Sequence, residues 1–256
     1  MKHLLDAWPA VDARLREAEH LLLMLDFDGT LAPIVPNPPD ARIPAKTMGA
    51  LRALARCSRV TMAIVSGRSA GDVRSLAGLA GIHYFGSHGR ERIRPDSDAV
   101  EANDHGRSAI AAVSRRLVMD LADVTGFEVE NKGLSAAAHY RNANPGDYER
   151  IAESVRRAVG ADPALRASPG KMVFDITPAD GVDKGVAATT LLREIGGLAI
   201  YFGDDTTDET AFRALPQKSV TVFVGPTSSS SRARFRVTNP LEVGTALTKI
   251  LDTAVL

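Results

Sequence analysis

The stretch Leu21-Leu22-Leu23-Met24-Leu25-Asp26-Phe27-Asp28-Gly29-Thr30-Leu31 decides the fold. Five consecutive apolar residues read as a buried strand, because the run is too short for a helix and is bounded by polar residues. It stops at a carboxylate, and a second carboxylate follows two residues later. Downstream, Pro33, Pro36, Pro38 and Pro39 form a loop that cannot be helix interior. Met48, Leu51, Leu54 and Ala55 then recur at helical spacing. Val60–Val65 is a second apolar strand ending at Ser66-Gly67, a helix follows over about 70–76, and Ile82–Phe85 is a third strand. Strand and helix alternate, which predicts a parallel sheet with helical crossovers.

The pattern changes over about 92–180. This region is richer in charge, with helical stretches near 109–121 and 148–159. Short alternating strands are expected over 126–130, 134–140 and 172–176, the first two joined by an Asn131-Lys132-Gly133 turn. The core pattern resumes at Lys184, with a helix closed by glycine. A strand over 198–202, a helix over 208–214, a strand over 220–224, and a last strand and helix over 234–237 and 241–251 complete it. Ser228–Ser231 reads as a flexible loop. The expected fold class is α/β: a doubly wound parallel-sheet core over 1–91 and 181–256, interrupted by an inserted α+β cap over 92–180.

Four polar clusters follow core strands or open a core helix: Asp26 to Thr30, Ser66 to Arg68, Lys184, and Gly203 to Asp208. In open parallel sheets ligands bind beyond the carboxyl ends of the strands, at the point where crossovers change direction. The clusters are therefore expected in one crevice. Asp26 and Asp28 alternate and can share a side of the strand end. Asp204 and Asp208 lie one helical turn apart. So many carboxylates repel one another unless a cation sits among them. An all-oxygen donor set suits Mg²⁺, while zinc would call for a Cys/His cluster that the chain lacks. Beside such a cation a carboxylate can act as nucleophile. A second carboxylate can protonate the leaving alcohol and then activate water. A hydroxyl (Ser66) and an ammonium (Lys184) can hold charge on transferring oxygens. Gly29 lets the backbone turn tightly beneath a phosphate.

Composition bounds the function. With 45% apolar and 24% charged residues the chain is an ordinary globular protein. Lys plus Arg equals Asp plus Glu, so the net charge is zero, which argues against nucleic acid as partner. Cys57 is the single cysteine, so no internal disulfide can form. The polar N-terminus is not a signal peptide and the Leu21–Leu25 run is too short to span a bilayer. The expectation is a cytoplasmic protein without a membrane partner. Oligomeric state is not legible.

The stretches "LDFDGTL", "SGR", "DKG" and "GDDTTDE" resemble the four motifs of the haloacid dehalogenase superfamily of phosphatases. With "GSHGRE" and "NKGLSAAAHYR", the chain is most similar to that superfamily's trehalose-6-phosphate phosphatase branch. The resemblance implies Asp26 as nucleophile, Asp28 as general acid/base, and Ser66 and Lys184 on the phosphoryl oxygens. It implies Mg²⁺ held by Asp26, Asp204 and the carbonyl of Asp28, with Asp208 supporting the metal shell and Asp205 a weaker candidate. Gly29, Thr30, Gly67, Arg68 and His88 would lie on the phosphate or the sugar beside it. Lys132, His139, Arg141 and Asp175 would face the sugar from the cap. By their own pattern, however, Lys132 reads as an exposed turn lysine, the usual finding there, and His139 equally as a cross-strand packing residue. Two departures bear on the sugar: Ser87 stands where the branch commonly has Glu, and Asp175-Ile176-Thr177-Pro178 where it has Glu before Arg-Pro. The implied reaction is hydrolysis of a sugar phosphate, with trehalose 6-phosphate the leading substrate. Alternatives are a sucrose phosphate, a glycosyl phosphoglycerate, or a sugar phosphomutase on the same core. A receiver module also uses an Asp, a hydroxyl and a Lys, but has no use for Asp28 as acid/base and carries no inserted cap.

A cap that closes needs hinges, expected at Arg90–Pro95 and Thr177–Val182. Amide exchange in both segments should slow when a phosphate analogue is bound. Equal exchange with and without the analogue would place the hinges elsewhere.

Overall fold

The computed structural model describes residues 1–226 and 230–255. Within Ser228–Ser231, residues 228 and 229 lie outside the described set. The chain divides into two compact units, residues 1–101 with 183–256, and residues 102–182.

The first unit opens with β1 (Lys2–His3), α1 (Trp8–Glu17) and β2 (Leu21–Leu25), followed by α2 (Ala45–Leu54), β3 (Val60–Val65), α3 (Ala70–Ala77), β4 (His83–Gly86), β5 (Glu91–Ile93) and β6 (Val100–Ala102). The second unit contains α4 (Arg107–Asp120), β7 (Glu128–Asn131), β8 (Ala136–His139), α5 (Tyr148–Gly160), β9 (Leu165–Pro169) and β10 (Val173–Pro178). The chain then returns through α6 (Lys184–Ile195), β11 (Leu198–Gly203), α7 (Glu209–Ala214), β12 (Val220–Val224), β13 (Phe235–Val237) and α8 (Pro240–Ala254).

Among the described residues the large sheet runs β1-β13-β12-β11-β2-β3-β4-β5-β6. From β1 to β4 every pairing is parallel, and β5 turns back antiparallel on β4. All five residues of β2 are buried, because β2 is flanked by β11 and β3 and covered on both faces. Alternation along it divides the core. Leu21, Leu23 and Leu25 pack with Leu51, Leu54, Val243, Leu247 and Ile250 of α2 and α8. Leu22 and Met24 face the other way, with Ala187, Ala188 and Leu191 of α6 and Phe212 of α7. Each buried leucine of this kind contributes about 1.5–3 kcal/mol. The helices that cover the sheet have legible ends. Ser69 accepts from Asp72 N at the start of α3, and Gly78 closes it at φ +58°. Asp183 caps α6 by accepting from Val186 N.

The second unit is an antiparallel sheet, β7-β8-β10-β9, with α4 and α5. Ile110, Val113, Leu117, Ala136, Ala138, Val155 and Ile176 form its core. The Asn131–Gly133 turn closes the β7–β8 hairpin: Lys132 N donates to Ser135 O, and Asn131 Oδ1 accepts from Gly133 N. The division between units falls later than the sequence pattern placed it. Residues 92–101 belong to the first unit, where β5 and β6 extend the edge of the large sheet. Strand β9 had no apolar alternation to announce it. Among the described residues no helix is long and apolar enough to cross a membrane.

The edge of the large sheet buries a titratable pair. His83 on β4 and Arg92 on β5 are both over nine-tenths buried, and Arg92 Nη2 donates to His83 Nδ1 at 3.3 Å. Arg92 also pairs with Glu194 through both its terminal nitrogens and lies over the Phe85 ring. Burial, and then the Arg92 charge, push His83 down from its ordinary 6.5 to about 4. The unfolded chain therefore binds a proton that the folded chain refuses. Stability is full above pH 6.5 and is lost as pH falls towards 4. At about 1.4 kcal/mol per unit the loss approaches ~3 kcal/mol. Urea unfolding at pH 7 and pH 4 should show that His83→Gln loses about 2–3 kcal/mol less stability across this interval than the natural chain. Equal losses in the two proteins would disprove the assignment.

Candidate active site

β2 is the strand at which the crossovers change direction: the chain proceeds to β3 and β4 on one side, and β11, β12 and β13 lie on the other. Its carboxyl end delivers Asp26. The neighbouring ends of β3 and β11 deliver Ser66 and Asp204, and the start of α6 delivers Lys184. Asp26, Ser66, Lys184, Asp204 and Asp208 are all buried.

Carboxylate oxygens of Asp26, Asp204 and Asp208 all lie within 4.8 Å of one another. Lys184 Nζ donates to Asp26 Oδ1 and to Asp208 Oδ1, at 2.8 Å each. Burial pushes Asp26 well above the ordinary carboxylate range, against the pull of Lys184 and with the charges of Asp208 and Asp204 adding to it. Burial works against the Lys184 ammonium too, but Asp208 and Asp26 more than compensate and hold it above its ordinary value. Three carboxylates against one ammonium leave two formal negative charges among these buried groups. Such a site favours a cation.

Asp208 has a different surrounding from the other two acids. Its Oδ1 accepts from Lys184 Nζ and from Tyr201 OH at 2.9 Å. Its Oδ2 accepts from the amides of Asp204 and Asp205, at 3.1 Å each. Four donors occupy the in-plane lone pairs of this carboxylate. Asp208 thus holds the 203–208 turn and aims Lys184. The side chain of Asp205 instead accepts from Thr206 N at the surface of the turn. Tyr201 was not anticipated. The signal was present: a buried tyrosine within an apolar strand needs a partner for its hydroxyl.

Asp28 stands apart from the cluster. Arg68 Nε donates to Asp28 Oδ2 at 2.7 Å and Arg68 Nη2 to Asp28 Oδ1 at 2.8 Å. Gly29 has φ +81°, and a β-carbon there would lie 2.0 Å from Asp204 Oδ2, so the loop passes directly against that carboxylate. Thr30 is fully buried, and its hydroxyl has no hydrogen-bond partner among the described residues. Ser66 Oγ accepts from Arg68 N at 3.2 Å. A β-carbon on Gly67 would meet the His88 ring at 2.8 Å. His88 and Ser87 both adopt left-handed backbone, at φ +60° and +48°, and their amides donate to the carbonyls of Ser66 and Arg68.

The remaining candidates belong to the second unit. Glu130, on β7, gathers two of them: Lys132 Nζ lies 3.5 Å and His139 Nε2 3.1 Å from Glu130 Oε2. The His139 contact above all, with burial opposing it, lowers Glu130 to about 2. The sequence reading passed over Glu130, although strand alternation sets it opposite the β8 residues beside His139. Arg141 donates to the carbonyl of Lys171 at 3.0 Å. Asp175 pairs in register between Ala137 and Ser168.

A family model described as trehalose-phosphatase matches residues 24–240. The chain is 32% identical over 259 residues to a probable trehalose-phosphate phosphatase D of Arabidopsis thaliana, covering 94% of this chain and 69% of that protein. It is 37% identical over 226 residues to a trehalose-phosphate phosphatase of Mycobacterium avium, covering 84% of this chain and 57% of that protein. Its fold is also that of the C-terminal domain of the C. albicans trehalose-6-phosphate phosphatase, with a TM-score of 0.83 at 21% identity over 95% of this chain and 96% of that one. The model's match takes in all four polar clusters, from Asp26 to Asp208, and on that extent the chain belongs to the trehalose-phosphatase family.

Proposed function

We propose that the chain hydrolyses trehalose 6-phosphate to trehalose and inorganic phosphate by way of a phosphoryl group carried on Asp26. The observation that carries this reading is the buried Asp26–Lys184–Asp208 contact among three clustered carboxylates, in a member of this family. In the first step an Asp26 carboxylate oxygen attacks phosphorus, and the bond from phosphorus to the sugar oxygen breaks. The leaving oxygen takes the proton of Asp28. In the second step water gives a proton to the Asp28 carboxylate and attacks the same phosphorus. The bond to Asp26 then breaks, regenerating its carboxylate and releasing phosphate. Lys184 and Ser66 hold charge on the non-bridging oxygens through both steps.

The donor set fits Mg²⁺: oxygen ligands only, from three buried carboxylates whose oxygens lie within 4.8 Å of one another. Asp26 and Asp204 would hold it together with the backbone carbonyl of Asp28, while Asp208 keeps Asp204 and Lys184 in place. When bound, the ion supplies positive charge opposite the phosphate. On the sugar side, Lys132, His139, Arg141 and Asp175, with Glu130, are the candidates for recognising hydroxyls. Ser87 in the first unit and Asp175–Thr177 in the second depart from the family pattern.

With Mg²⁺, phosphate release from trehalose 6-phosphate should exceed that from sucrose phosphate, glucosyl phosphoglycerate and small hexose phosphates, and a chelator should abolish it. Fast turnover of a small phosphate beside none of any disaccharide phosphate would overturn the substrate. An isomeric sugar phosphate in place of free phosphate would indicate a mutase.

The surroundings of the two adjacent acids separate their roles. Removing a group that orients a metal's ligands typically weakens metal affinity about 10–100-fold, and Asp208→Asn should fall in that range for Mg²⁺ measured by activation. Asp205→Asn, whose side chain accepts from Thr206 N within the turn, should shift the Mg²⁺ requirement by less than about twofold on the same scale. The reverse ranking would move the supporting role to Asp205.

A further inference from the structure

All three nitrogens of the Arg68 guanidinium donate within its own unit. Nε and Nη2 form a two-point fork on Asp28, at 2.7 and 2.8 Å. Nη2 also donates to the carbonyl of Pro38 at 2.8 Å, and Nη1 to Asp72 Oδ2 at 3.0 Å. The group lies over the Phe27 ring, 5.5 Å from its centre, and its side chain is 9% exposed. Its backbone is tied as well: Arg68 N donates to Ser66 Oγ and Arg68 O accepts from Ser87 N. An arginine so engaged has little freedom to follow a ligand. By contrast the Asp28 side chain is 39% exposed, and among the described residues its two carboxylate oxygens accept from Arg68.

We propose that Arg68 is the positioning residue of the acid/base: through a two-point fork anchored on Pro38 and Asp72 it fixes the carboxylate of Asp28, and is not itself a ligand of the substrate phosphate. The proposal rests on the acid/base role given to Asp28 above. A planar guanidinium fixes both the place and the plane of a carboxylate. An ammonium supplies the same charge at a single point, so Arg68→Lys keeps the charge and loses the aim. Proton transfer is sensitive to aim, whereas attack by Asp26 on phosphorus does not involve Arg68.

The test separates these two by leaving group. A sugar oxygen needs the proton of Asp28 as it departs, and a nitrophenolate does not. The quantity kcat/KM covers only the steps up to leaving-group departure. For Arg68→Lys, kcat/KM on trehalose 6-phosphate should fall about 30-fold or more, a large part of the roughly 10²–10⁴-fold that general acid catalysis supplies, while kcat/KM on 4-nitrophenyl phosphate falls less than about fivefold. The same protein should show a burst of nitrophenol, because the second step still needs Asp28 as base. Asp28→Asn is the reference and should show the same asymmetry, and the double variant should be no worse than Asp28→Asn alone. Arg68→Gln should give the same ordering, with thermal midpoints of all variants recorded.

Equal losses on both substrates for Arg68→Lys, beside an asymmetric Asp28→Asn, would overturn the proposal and leave the acid/base reading standing. So would a rise of KM for both substrates at unchanged kcat, which would make Arg68 a phosphate ligand. Equal losses for Asp28→Asn itself would overturn the role of Asp28 and the proposal with it.

Discussion

Lys184 Nζ shared between Asp26 and Asp208 is the contact on which the arrangement depends. It joins three segments that are distant in the chain: the end of β2, the start of α6 and the turn before α7. Fully desolvated charges are costly, and such a contact holds only when every partner is supplied. Here Tyr201 and two backbone amides complete Asp208, so one oxygen can be spared for the ammonium. Removing Lys184 leaves Asp26 and Asp208 buried without their shared counter-charge. The contact therefore fixes the site geometry more than it adds to net stability.

The same electrostatics explain why the acids are not equivalent. Asp26 and Asp208 are locked to one ammonium, Asp204 is pressed against Gly29, and Asp28 is drawn off by Arg68. Four carboxylates within eight residues of two strand ends thus acquire separate surroundings. Separation of surroundings is what lets carboxyl groups take different roles at one pH.

Much of this was legible in the sequence. Apolar runs ending in Asp26, Ser66-Gly67 and Gly203-Asp204 announced three adjacent strands, because burial on both faces leaves no room for polar residues. Of the helix limits, the glycine closing the helix that opens at Lys184 was legible, whereas the caps at Ser69, Gly78 and Asp183 came from the structure. The short edge strands β1, β6 and β9 were not legible, since an edge needs no continuous apolar pattern and β6 is fully exposed, and the inner strand β5 is only Glu91-Arg92-Ile93, two of its three residues charged. Side-chain partners were the other gap. Arg68 beside Ser66-Gly67 reads as a phosphate ligand, and only three dimensions bring Asp28, Asp72 and Pro38 onto it. Likewise "GDDTTDE" offers four acids without ranking them, and the ranking comes from which one the turn amides and Tyr201 face.

The order of strands has a bearing on synthesis. β2 needs β11 on one side, and Leu21 pairs with Leu198. At about 5–20 residues per second, the ribosome delivers that partner ~10–35 s after β2 has emerged. Residues 102–182 are contiguous, have a core of their own, and are synthesised within that interval. Until then the strand bearing Asp26 has an open edge of five apolar residues, the kind of surface that chaperones shield. Lys184 and Asp208 arrive in the same late segment as β11. A chain cut short anywhere before it carries Asp26 without the Lys184 counter-charge, so no partial chain assembles this cluster.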